Sequence, residues 1–100
     1  MKLITVMLES GRAMKEVYRS ELKRILCSWI GITRISMNYS QETMAEALLI
    51  DVRSYSDIDR GVSLCSTLTL MLFLVYYCPE PTVLLGEIRT LFEDVRRRVA

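Results

Sequence analysis

The chemistry open to this chain is bounded first by the side chains it lacks. Its 100 residues contain no histidine, which removes both the commonest metal ligand and the commonest general base at neutral pH. Cys27, Cys65 and Cys78 are odd in number, form no CxxC pair and lie in apolar surroundings. They read as buried, reduced thiols of a cytoplasmic protein. No phosphate loop, nucleophile motif or metal-ligand cluster is visible, so the expectation is a non-enzyme without a cofactor. Hydrogen bonding and charge remain. These are densest between Asp51 and Arg60, DVRSYSDIDR, where guanidinium, hydroxyl and carboxylate groups crowd into ten residues. That inventory suits recognition better than bond cleavage.

Two short helices and a tight turn must position this run. In Ser40–Gly61, SQETMAEALLIDVRSYSDIDRG, Ser40 can cap a first helix through its hydroxyl. Glu42 suits the positive end of that helix. Met44, Ala45 and Leu48 share one face at helical spacing. Asp51 can cap a second helix, whose apolar face is Val52, Tyr55 and Ile58 and whose stop is Gly61. Ala45 is small enough to let the two helices cross closely.

The stretch resembles the helix-turn-helix of the Cro/repressor family, the XRE-like bacterial and phage regulators. The residues that carry the resemblance are Ser40-Gln41-Glu42, Ala45-Glu46-Ala47-Leu48, Ile50, Tyr55, Ile58 and Asp59-Arg60-Gly61. Ser63-Leu64 and Thr67-Leu68 match the family's next helix, and the likeness spans roughly residues 24 to 78. Three departures stand out. Asn38 replaces a common glycine, but tolerates the left-handed backbone better than most residues. Leu49 also replaces a common glycine, and a left-handed leucine costs roughly 1–2 kcal/mol. Few lysines or arginines follow Gly61.

The resemblance implies an all-α, five-helix, lambda-repressor-like DNA-binding domain with an N-terminal extension. It also implies that the helix 52–60 lies in the major groove. Val52, Arg53, Ser54, Ser56 and Asp57 would then face base edges. Arg53 has the forked donors that match guanine O6 and N7, Asp57 can accept from cytosine N4, and Val52 can touch a thymine methyl. Gln41 and Arg60 would meet the DNA backbone. Arg34, near the end of the preceding helix, would pair with Asp59 and clamp the reading helix in place.

The remaining segments frame that motif. Met1–Leu8 suits either a short strand or one helical face, with Glu9-Ser10-Gly11 as a break. This extension, residues 1–11, reads as a loose arm or extra helical turns, or else as an arm that pairs with its twin. From Arg12 to Ser36, Met14, Val17-Tyr18, Leu22, Ile25, Trp29 and Ile32 recur at helical steps. Gly31 is a point where this helix would bend or divide. Val62–Cys78 is apolar nearly all round, with Ser63 as the expected cap and Leu64, Leu68, Met71, Leu72 and Val75 along one face. It falls short of the ~20 residues of a membrane span, so it predicts a core helix covered by a fifth helix or a dimer partner. Pro79 ends it. Pro81 opens an amphipathic C-terminal helix, 81–99, on the stripe Leu84, Ile88, Leu91-Phe92, Val95 and Val99.

One domain over residues 1–100 is therefore expected, with no secretion signal visible. The net charge of +1 does not by itself demand nucleic acid. The expectation is a dimeric, sequence-specific transcriptional regulator of a bacterium or phage, cytoplasmic and nucleoid-associated, whose partners are double-stranded DNA and a second copy. The rival is a helical interaction module, antitoxin-like or adaptor-like, with weak or lost DNA binding; the local aspartates favour it.

Overall fold

The computed structural model describes the backbone of residues 2–99 and the side chains of residues 13–98. All regular structure in it is helical. The order is α1 (Lys2–Ser36), α2 (Gln41–Ala47), α3 (Val52–Asp59), α4 (Thr67–Leu72) with a π-helical turn (Phe73–Tyr77), and α5 (Pro81–Val99). At 1.5 Å per residue, the 35 residues of α1 reach about 52 Å. That agrees with the longest dimension of the molecule, 54 Å. No helix among the described residues is long and apolar enough to cross a membrane.

Each short helix begins on a side-chain cap. Ser40, Asp51 and Ser66 are extended residues whose oxygens accept the backbone N–H of Thr43, Ser54 and Thr69. Each cap satisfies one of the unpaired donors of a first turn. The stops are equally regular. After α1, Tyr39 N–H donates to Arg34 O and Asn38 N–H to Ile35 O. After α2, Ile50 N–H donates to Ala45 O and Leu49 N–H to Glu46 O. After α3, Val62 N–H donates to Asp57 O and Gly61 N–H to Ile58 O. All three are Schellman stops, which need a left-handed residue one place past the cap. Asn38, Leu49 and Gly61 fill that place with φ of 62°, 59° and 73°.

The core gathers Leu26 and Ile30 of α1, Met44, Ala45 and Leu48 around α2, Tyr55 and Ile58 of α3, Phe73 of the π turn, and Leu84 and Leu91 of α5. α1 packs against α5 and also against α3, and so joins the C-terminal helix to the motif. Tyr18 and Phe92 meet edge to face with centroids 4.7 Å apart, and the Trp29 indole donates to Glu87 at 2.7 Å.

The helical pattern departs from expectation in four places. α1 runs unbroken through Glu9-Ser10-Gly11 and through Gly31. One glycine costs only ~1 kcal/mol in a helix, too little to break one that tertiary packing supports. The buried side of α1 is also wider than its stripe. Leu26, Ile30 and Thr33 are buried because α3 as well as α5 packs against α1, while Ile32 stays exposed. The cap of α4 is Ser66 rather than Ser63. Its buried residues are Thr69 and Phe73, whereas Leu68, Met71 and Val75 face water. A segment apolar on all sides has no moment to select its inner face, so packing of the largest ring decides. Finally, α5 packs chiefly along α1 and leaves Leu68, Met71 and Val75 uncovered.

Candidate functional site

The outer side of α3 carries the concentrated polar groups. Tyr55 and Ile58 point inward and are buried; Val52, Arg53 and Ser54 are exposed. Ser56 and Asp57 are half-buried and Arg60 is exposed. The period of 3.6 puts Tyr55 and Ile58 on the face opposite to Arg53. Arg53 makes no hydrogen bond or ion pair among the described residues.

Its neighbours are less free. Asp51 accepts the Ser54 N–H at 2.7 Å and the Ser54 hydroxyl at 3.0 Å. Those bonds hold the Asp51 carboxyl below its ordinary value, the backbone N–H of Ser54 contributing most and its hydroxyl next. Arg60 Nη2 binds Asp57 Oδ1 at 2.6 Å, so the carboxylate assigned to cytosine and the guanidinium assigned to phosphate neutralise each other. The face of α3 thus presents one unpaired cation, a methyl-bearing Val52 and two small hydroxyls.

Behind that face, one carboxylate ties three helices together. Asp59, the last residue of α3, accepts from Gln41 Nε2 at 3.0 Å and from the Tyr55 hydroxyl at 3.4 Å. Arg34 Nη2 of α1 lies 3.8 Å from it. Arg34 Nη1 also donates to the Tyr39 carbonyl at 3.0 Å, while its buried Nε has no partner. Cys27 donates its thiol hydrogen to the Asp59 carbonyl at 2.8 Å. Gly31 belongs to the same arrangement. A Cβ there would stand 3.2 Å from Asp59 Oδ1, closer than most side chains tolerate. The carboxylate comes near α1 because α1 presents no side chain at that point.

The structure therefore brings Arg34, Gln41 and Asp59 together and sets Val52, Arg53 and Ser54 apart on the open side. Gln41 is half-buried and its amide nitrogen is spent on Asp59; its carbonyl oxygen is not used in that bond. Two members of the arrangement, Gly31 and Cys27, were not read as site residues. The only signal in the sequence is a glycine persisting inside a strong helical stripe.

Besides the Asp51 carboxyl, a phenol and the three thiols titrate away from their ordinary values. Burial, reinforced by the charge of Asp59, pushes the Tyr55 phenol up to about 12. Burial also raises the thiols of Cys27, Cys65 and Cys78, which are free and half-buried rather than fully enclosed. Thiols shifted in this direction are poor nucleophiles. Compared with family models, curated proteins and solved structures, the chain matches none.

Proposed function

We propose that this chain is a lambda-repressor-like DNA-binding regulator that lays α3 in the major groove of duplex DNA. One observation supports it above the rest: α3 turns its polar side outward, with an unpaired Arg53 in the first turn, on a helix braced from behind by Asp59. Residues near the start of a recognition helix are those that reach base edges. Arg53 supplies the bidentate contact to guanine and Val52 the contact to thymine. Gln41 and Arg60 sit at the two ends of the motif, where phosphates run. The reading involves no catalysis and no cofactor, and it places the protein in the cytoplasm on the nucleoid, as two copies on a palindromic site.

The rival reading, a protein-interaction module, is favoured by a specific feature. The Asp57–Arg60 pair leaves the site with little net positive charge. Selection of bound sequences from a random duplex pool separates the two. The regulator reading expects a palindromic consensus whose half-site contains guanine. Arg53→Ala should weaken binding to that consensus by about 1–3 kcal/mol and relax the preference at one position per half-site. A pool that fails to enrich any sequence would remove this reading.

A further inference from the structure

We infer that the outward face of α4 and its π turn, formed by Leu68, Met71, Val75 and Tyr76, is the contact between two copies of this chain. The inference rests on the regulator reading for its purpose, since a palindrome requires a two-fold, but its physical warrant is the surface itself.

The four side chains are 63, 44, 68 and 71% exposed. Leu68, Met71 and Val75 follow one another at steps of three and four and so share one side of the helix, with Tyr76, one residue on, at the edge of that stripe. The opposite side holds buried Thr69 and Phe73, which anchors the segment to the core. The π turn closes with Cys78 N–H donating to Phe73 O at 2.8 Å. At its end the two tyrosines divide their roles. Tyr77 donates to the Ala47 carbonyl at 3.4 Å, while Tyr76 packs edge to face on Tyr77 and extends outward. A rigidly based, projecting tyrosine is the kind of residue that dominates interfaces.

The occupant is argued from charge and area. Residues 62–78 contain no charged side chain, in a chain that is one quarter charged. A second copy brings the same uncharged face across a two-fold, so self-pairing meets no like-charge repulsion. Interfaces between identical subunits are also the more apolar kind. Two other exposed apolar residues lie among charges: Ile32 lines one groove with Arg24, Glu80 and Glu87, and Leu85 lines another with Arg89, Glu93 and Arg96. The stripe leaves roughly 450 Å² of side chain in water, within the range of functional patches on monomers. Covered on both copies by symmetric pairing it buries about 900 Å², the low end of specific interfaces, so the association is a weak one.

The test needs no DNA. Sedimentation equilibrium of the full chain from about 1 to about 200 μM should show a monomer–dimer equilibrium. Leu68→Glu and Val75→Glu should each weaken it by more than about tenfold, since a like charge then faces itself in a low-dielectric contact. Far-UV circular dichroism, and Tm at about 1 μM where the chain is monomeric, should stay unchanged, because both positions are exposed. Amide hydrogen exchange on the unaltered chain provides a second measurement that does not depend on the variants folding. Protection of residues 67–77 should rise with protein concentration. A chain that stays monomeric at the highest concentration, or one that dimerises equally well with Val75→Glu, overturns the assignment. A chain that dimerises through this face but enriches no DNA sequence leaves the interface standing and removes the regulator reading. A monomer that enriches a consensus does the reverse.

Discussion

At the scale of single residues, Asp59 and Arg34 show how much a modest interaction can govern. The pair is separated by 3.8 Å, and its side chains are 19% (Arg34) and 16% (Asp59) exposed. Deleting one partner of a fully buried pair typically costs about 3–5 kcal/mol; this separation and residual exposure reduce the expectation to about 1–2 kcal/mol. Arg34→Ala should therefore lower Tm by roughly 5–10 °C, and also weaken DNA binding by loosening α3 from α1. Thermal unfolding followed by circular dichroism is the check, and an unchanged Tm would deny the clamp any structural weight. Tyr55 gives an independent handle on the same cluster. Its phenol ionises at about 12 when folded, against 10.0 in the ordinary state. The contribution is intact below pH 10.0 and is lost as pH rises through about 12, because the unfolded chain releases its proton first. Tyr55→Phe should flatten the alkaline limb of the stability profile, read as urea midpoints between pH 9 and about 12. A limb of unaltered steepness would mean that other groups control alkaline unfolding.

At the scale of elements, α2 and α3 were the most legible part of the chain. Ser40 and Asp51 announce their helices because capping is a local bond between residues three apart, and such bonds survive any tertiary arrangement. Asn38 and Gly61 announce two stops for the same reason. Ser66 and the inner face of α4 were not legible, since Ser63 and Ser66 are chemically equivalent caps and a uniformly apolar run carries no direction. Within the site, the Arg34–Asp59 approach followed from a resemblance, whereas the role of Gly31 depends on a long-range approach that no local pattern encodes. Leu49 is where local rule and sequence disagree most. It adopts φ of 59° while 73% exposed, so it bears the left-handed penalty with little burial in return. Leu49→Gly should relieve roughly 1–2 kcal/mol of strain and add about 0.5–1 kcal/mol of unfolded-state entropy. The expected net is a gain of about 0.5–1 kcal/mol, seen as a Tm increase of a few degrees. A decrease would show that the leucine makes contacts that offset its strain.

At the scale of the whole molecule, charge placement sets what affinity for DNA is attainable. The chain carries a formal charge of +1, and Arg60 on the proposed reading surface is already paired with Asp57 at 2.6 Å. Few phosphates can be neutralised by such a surface. With one or two cationic contacts per copy and a slope of about −0.9 per phosphate, two copies should give a log–log salt dependence of about −2 to −4. Fluorescence anisotropy on the selected duplex, between about 50 and 200 mM salt, measures it directly. Asp57→Asn sharpens the comparison. Releasing Arg60 from its ion pair should steepen the slope by about 0.9 per copy and strengthen binding to unrelated duplexes, without creating a new base preference. The aspartate would then be a restraint on non-specific affinity, holding sequence choice with Arg53 and stability of the complex with the pairing of two copies. If the slope is already steeper than this and indifferent to Asp57→Asn, the phosphates are being met by another part of the molecule, and α3 is not the surface that holds them.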